Sequence, residues 1–488
     1  MLTLLILAPI LATLTIPLAR SAASLRSFAT AWSTGIGLLA LATTYPILRD
    51  ITTIPGNGFW QVTPFAALLI LLIGFIQWTA TLVSGPYIDE ELHEKIITLS
   101  QARIYYALLQ VFVLSMILTL AAQNIGIMWI ALEGTTLATT LLVAFYGRDG
   151  SLEAAWKYIL LCSVGISLGL LGIFLLYFAT TTAAPIASDL NILNWTQLHA
   201  IASTLPPQIV RWAFIFIFIG YGTKVGLVPL HTWLPDAHGR TPSPISAMLS
   251  GLLLNVALFA ILKYKGVVDL TLGETWWTNR LFLIFGTLSI LLPTAFILVQ
   301  RNYKRLLAYS SIEHMGFMVF CVGLGAPGLL IMTIHMIGHA LAKSLAFFGS
   351  GNIILRWKST KIENIGPVLT SLPYTGILFL IALLALIGTP PSPLFLSEYL
   401  ALTIAIVSHP FLAILVLAAG VILLAGILCN LIPMLFQKKT DPVTSPIESW
   451  NISHTAMALH VAALAVIGIL VMTPATQTYL KALAESIL

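Results

Sequence analysis

The sequence predicts an all-α polytopic membrane protein of about fourteen transmembrane helices, and three observations predict it. Only 8% of the 488 residues are charged while 58% are hydrophobic, whereas a soluble domain carries about 25% charged residues. Apolar runs recur along the whole chain, and about 20 such residues cross a hydrocarbon layer roughly 30 Å thick. The runs lack the period-two alternation of outer-membrane strands, so helices must satisfy their backbone groups.

Taken in order, the apolar runs place helices at 2–19, 27–48, 62–83, 100–121, 124–146, 153–178, 208–239, 243–266, 275–299, 303–324, 327–356, 371–406, 410–436 and 454–473. The first run lacks a charged leader and a clear small-residue cleavage site, so it reads as a retained helix. The longest connection, 179–207, is short and polar and leaves no room for a soluble domain. The chain from 1 to 488 therefore reads as one membrane domain. The seventh span is broken around Pro229 and Pro235, and the twelfth around Pro390, Pro391 and Pro393. These are the fourth members of two five-helix blocks, spans 4–8 (100–266) and 9–13 (275–436). Five is odd, so the second block starts from the opposite face, giving inverted repeats. Interrupted helices at matching places of such repeats point to a transport site.

Charge placement gives orientation. The odd-numbered connections hold fourteen Lys and Arg residues; the even-numbered ones and the C-terminus hold five. The positive-inside bias puts both termini outside the cytoplasm of a plasma-membrane protein. No basic, aromatic-interleaved patch suggests nucleic acid, and the lipid bilayer is the surrounding partner. Cys162, Cys321 and Cys429 are isolated in apolar runs, without metal or cluster spacing. All three read as buried small apolar side chains.

An ionisable group at mid-membrane costs on the order of 2.5–3.5 kcal/mol, so each one needs a reason. Glu133 lies in the middle of the fifth span, and Lys224 lies just before the break of the seventh. Burial lowers a lysine pKa and a nearby carboxylate raises it, so changing their distance could load or release a proton. A structural ion pair is the plain alternative for both. His231 and His238 flank the same break with Asp236 between them, and histidine titrates near neutrality. His335, His339 and Lys343 are spaced four apart and share one helical stripe, a candidate hydrated proton row. His314 could join it, while neighbouring Glu313 could simply fix its helix. Glu398 follows the second break and stands in the place of Lys224 in the mirror block. Lys263 falls in the last turn of the eighth span, where it could snorkel. Glu153 and Lys157 are a pair one turn apart.

The segments KVGLVPLHTWLPDAHGRTPSPISAMLSGLLLN, KRLLAYSSIEHMGF and HMIGHALAKSLAFFGSG closely resemble the antiporter-like subunits of respiratory complex I and Mrp-type antiporters. Within that superfamily, the stretch EGTTLATTLLVAFYGRDGSLEAAWKYILLCSVGISLGLLGI looks most like component F of hydrogenase-4. That is a membrane subunit of group 4 [NiFe] hydrogenase and formate hydrogenlyase complexes. The resemblance implies the inverted-repeat fold and matches Glu133, Lys224, the His335–His339–Lys343 row and Glu398 to the family's proton-translocation positions. Asn255 departs from it, because many members carry a lysine or histidine there to bridge the two halves. His314, Lys263 or the eleventh-span row would have to bridge instead.

The resemblance also implies that redox chemistry belongs to partners: other antiporter-like subunits and a peripheral arm with iron–sulfur and [NiFe]-hydrogenase-like subunits. This chain is expected to carry no cofactor, and to translocate H⁺ in the first instance and Na⁺ in the second. The rivals are a complex I or Mrp antiporter subunit, and a membrane anchor that pumps nothing. The chain runs only about fifteen residues past the last span, so the long lateral helix of the L-type complex I subunit is not expected.

Overall fold

A computed structural model describes residues 1–53, 58–183, 190–436 and 448–487. The helices number by span as α1 (Leu2–Thr15), α2 (Ala22–Asp50), α3 (Pro64–His93), α4 (Leu99–Ala121), α5 (Ile125–Val143) and α6 (Asp149–Ala183). The broken α7 comprises Pro207–Val225 and Trp233–Arg240, and α8 runs over Ser243–Leu272. Then come α9 (Trp276–Val299), α10 (Tyr303–Gly323) and α11 (Ala326–Trp357). The broken α12 comprises Pro373–Leu386 and Pro393–Ser408, followed by α13 (Pro410–Phe436) and α14 (Ile452–Leu470). Among the described residues, eleven helices are long and apolar enough to cross a membrane. Of the other three, α1 is a shorter apolar helix and α7 and α12 are each broken into two pieces, so the sequence-based order of helices holds.

Helix starts follow local chemistry. Thr63 caps α3 with proline at the first helical position, Asn302 caps α10, and Thr98 and Gln101 close a capping box on α4. The two breaks are also local. Gly226 turns left-handed (φ 83°) before Pro229, and Gly388 does the same (φ 67°) before Pro390 and Pro391. In each block the broken helix packs on both its sequence neighbours and the first helix touches the last.

Burial sorts the helices. α8, α10 and α11 are enclosed almost throughout, whereas α6, α13 and α14 turn most of their surface outward. α11 is the hub, packed against α3, α8, α10, both pieces of α12, and α14. In α8, residues Leu249–Leu253 form a π-helical turn, a distortion frequent at functional sites. Gly251 in that turn lets α8 approach α11 closely: a Cβ there would stand 2.9 Å from the Ala340 carbonyl.

Three expectations are corrected. Cys429 is exposed on the outer face of α13; only Cys162 and Cys321 are buried. Lys263 is not in a last turn, because α8 continues nine residues to Leu272. The connection 179–207 is not a plain polar loop: it holds the helix Trp195–Ile201, whose Trp195 and Leu198 are buried. Lys438 and Lys439, counted above in the charge bias, lie outside the described residues.

Candidate functional site

The predicted charged residues fall into two buried clusters and their flanks. In the first block, Lys224 is fully buried at the end of the first piece of α7. Its ammonium donates to Thr136 Oγ1 (2.7 Å) and to Tyr158 OH (2.9 Å). Thr136 in turn donates to Glu133 Oε2 (2.9 Å), and Ser163 donates to Glu133 Oε1 (2.8 Å). Lysine and glutamate are thus joined through a hydroxyl rather than by a direct ion pair. Each hydrogen bond to a charged group contributes about 1.5–3 kcal/mol. Glu133 is not enclosed: it is half-buried on the side of α5 that also carries exposed Ile130 and Leu137.

The second block holds histidines. His314 Nδ1 meets His335 Nε2 at 3.0 Å, and His335 Nδ1 meets Ser397 Oγ at 2.8 Å. His339 lies with its ring 5.3 Å from that of His314, and neither of its nitrogens has a protein partner. Lys343 donates to Ser310 Oγ (2.8 Å) and to the Leu307 carbonyl (3.0 Å). His335, His339 and Lys343 do share one stripe, fully buried. Ser397 carries the row to its neighbour Glu398, which is half-buried beside exposed Tyr399. Glu313 is buried, 3.6 Å from His314, with one oxygen unpartnered.

Lys224 and Glu398 are counterparts only loosely. Lys224 ends the piece before its break, whereas Glu398 lies in the second turn of the piece after its break. Gly388 makes room for it, since a Cβ there would collide with the Glu398 carboxylate.

α8 packs between α7 and α11, with its π-turn against α11. Ser250 there bonds Ser311 (2.7 Å), beside the Ser310 that holds Lys343. Asn255 is buried, donates to the Gly251 carbonyl (2.9 Å) and leaves its own oxygen unpartnered. No protein hydrogen bond among the described residues joins the Lys224 cluster to Lys343.

The remaining candidates separate. Asp236 stands off the axis, held by Lys157 (3.3 Å) and Arg305 (3.1 Å) at the basic face. Lys157 also pairs with Glu153 at 2.6 Å. Lys263 is buried with its ammonium 4.9 Å over the Trp195 ring, close to the connection after α6. Burial, and behind it the Lys263 charge, push His199 in that connection down to about 4. His231 is buried at the break with one nitrogen unpartnered. His238 is fully buried, stacked on Phe347 (5.1 Å), with both nitrogens unpartnered.

The hydroxyls of Thr136, Tyr158, Ser310 and Ser397 were missed by sequence reading. Thr136, one turn after Glu133, and Ser397, next to Glu398, had a local signal; Tyr158 and Ser310 had none.

Residues 122–424 match the family described as "NADH:quinone oxidoreductase/Mrp antiporter, TM". The chain is 39% identical over 400 residues to a hydrogenase-4 component F homolog of Methylacidiphilum infernorum, covering 81% of this chain and 82% of the relative. It is 29% identical over 352 residues to NADH-quinone oxidoreductase subunit N of Desulforudis audaxviator, covering 69% and 64% respectively. Its fold matches a chain of an archaeal membrane-bound sulfane sulfur reductase with a TM-score of 0.85 at 24% identity, over 100% of this chain and 97% of that one. It also matches a chain of the Mrp complex from Dietzia sp., with a TM-score of 0.80 at 17% identity over 100% and 97%.

Proposed function

Because this chain belongs to the NADH:quinone oxidoreductase/Mrp antiporter transmembrane family, we propose that it carries protons along Glu133, Lys224, the α10–α11 histidines, Lys343 and Glu398. It is an antiporter-like membrane subunit. The observation that carries the proton reading is the hydrogen-bonded run from His314 through His335 to Ser397 beside Glu398. A histidine gains and loses a proton near neutrality and so can relay one. Sodium is the second choice, because this run offers imidazole nitrogens where a hard cation prefers oxygens.

The mechanism is electrostatic. Glu133 reaches the lateral surface, where a charge in a neighbouring subunit would act on it. Drawing the carboxylate away from Thr136 would weaken the hold on Lys224 and release its proton towards the π-turn. Water beside Asn255, Ser250 and Ser311 would bridge to Lys343, and the histidines would deliver the proton to Glu398. His231, at the break, would serve Lys224. Redox chemistry would occur on partner subunits, an iron–sulfur peripheral arm with a [NiFe]-hydrogenase-like centre, and this chain would hold no cofactor. The similarity to a hydrogenase-4 component F homolog over 81% of the chain supports that assignment over a complex I or Mrp setting. The charge bias supports a plasma-membrane location with both termini outside the cytoplasm.

The deciding experiment replaces Lys224 with alanine in the assembled complex and measures ΔpH formation per redox turnover. Loss of ΔpH with intact redox activity is expected. Unchanged translocation would remove Lys224 from the pathway.

A further inference from the structure

We infer that a cavity at the basic face, between α3, α10 and α11, is the mouth through which protons enter, with Glu91 as the group that takes them from water. The inference rests on the proton-translocating reading above and adds a site to it. The cavity measures about 260 Å³ and is lined by Glu91, Tyr87, Tyr146, Thr241 and Lys304, with Arg148, Arg240 and Lys358 among its other polar walls. A water molecule occupies about 30 Å³ in the liquid, so a chain of waters fits.

Glu91 is built into this cavity rather than laid on it. It lies on the last turn of α3, is 5% exposed, and accepts from Tyr146 OH at 2.6 Å. Tyr146 is itself bonded to Tyr87 OH (2.9 Å), which fixes the carboxyl from one side. The other oxygen, Oε2, is buried without a protein partner. A buried carboxylate left half-satisfied is costly, and it is retained here at the wall of a space that admits water. The charged groups that face it are Arg148, Lys304 and Lys358. None forms an ion pair with it, and Lys358 is engaged instead by Glu94 at 2.6 Å. Glu91 therefore sits in an attractive field without being locked to one cation.

The inner wall leads to the proposed pathway. Lys304 is 1% exposed and donates to the Thr241 carbonyl. Ser246 Oγ reaches that same carbonyl (3.4 Å) and the carbonyl of His238 (3.2 Å). The His238 ring, with both nitrogens unpartnered, stacks on Phe347, one helical turn beyond Lys343 on α11. A proton taken from water by the Glu91 carboxylate would pass through cavity water and Lys304 to the His238 imidazole, and from there to Lys343. Each step moves one proton between a donor and an acceptor, and no electron is transferred.

Four cations around a pocket could also hold a phosphate. The carboxylate on the cavity wall opposes an anion, and this favours the proton.

The test uses membrane vesicles carrying the assembled complex, with Glu91→Gln, Glu91→Asp and Lys224→Ala compared side by side. Glutamine keeps the acceptor for Tyr146 but cannot titrate. ΔpH formation per redox turnover should fall at least tenfold in Glu91→Gln and recover most of its rate in Glu91→Asp, with a shifted pH profile. If Glu91→Gln fails to assemble, the shifted pH profile of Glu91→Asp alone carries the test, and an unshifted profile overturns the mouth. Wild-type pumping by Glu91→Gln, with pumping lost in Lys224→Ala, overturns the mouth and leaves the pathway standing. Wild-type pumping by both overturns the functional reading itself. If Glu91→Gln pumps normally while Arg148→Gln with Arg240→Gln loses co-purified phospholipid, the cavity is a headgroup site and the inference falls.

Discussion

The two five-helix blocks place their polar groups in matching helices, but they equip them differently. In the first, one ammonium is tied to two hydroxyls, and the shared Thr136 passes that tie on to a carboxylate. In the second, His314, His339 and Glu313 all keep an unpartnered buried atom. A satisfied cluster holds a charge in one place. An unsatisfied one needs water or a proton to complete it, and so can exchange them. The difference teaches that similarly placed polar groups take their character from local partners: a satisfied cluster suits holding a charge, an unsatisfied one suits exchanging it.

The sharpest way to break the comparison is His335→Leu, which removes the side chain hydrogen-bonded to both His314 and Ser397. ΔpH formation per turnover should fall about a hundredfold, the low end of what a positioned proton-transfer group contributes. His335→Gln should recover little, because an amide bonds but does not titrate.

Thr136→Val tests the storage cluster. It keeps the shape, leaves Lys224 its bond to Tyr158, and removes the link to Glu133. A stability loss of about 1–3 kcal/mol is expected from the unmade bonds, with a several-fold slower ΔpH, measured by thermal unfolding in detergent and by vesicle assay. Thr136→Ser should restore both. Equal behaviour of the valine variant and wild type would show that the hydroxyl link carries nothing.

Asn255→Leu probes the span between the blocks. Asparagine cannot titrate, so its contribution is to hold water beside the π-turn, and a few-fold slowing in the same vesicle assay is expected. No slowing would move the bridge elsewhere.

The smallest effect should come from outside both blocks. Burial pushes Glu448 up, but bonds from His454 and Thr375, including the Thr375 backbone amide, outweigh it and hold the carboxyl below its ordinary range. A depressed folded value stabilises at pH above the unfolded value of about 4.3 and is lost as pH falls through the folded one. Glu448→Gln should therefore lower the thermal midpoint slightly at pH 7 and leave it unchanged at low pH. Because Glu448 sits in neither block, ΔpH formation should stay normal.

Much of the fold was legible because the bilayer imposes one simple rule. A span needs about 20 apolar residues and an internally bonded backbone, so counting runs found the helices in their order and proline placed both breaks. Periodicity likewise put His335, His339 and Lys343 on one stripe. Exposure was harder to read, since lipid-facing and core-facing residues are equally apolar. Cys429 was misjudged for that reason, and Lys263 because charge was taken as the end of a helix.

By itself, then, the sequence determined the membrane class, the span order, the broken helices and the list of costly charges, since each follows from local composition and spacing. Only the tertiary structure decided which hydroxyl joins Lys224 to Glu133, that Ser397 and not a longer side chain receives His335, and that Glu91 opens onto a cavity backed by His238. Those are contacts between residues tens to hundreds of positions apart. They depend on how α5 packs on α7, α11 on α12, and α3 beside the second piece of α7, and no local pattern in the chain encodes that.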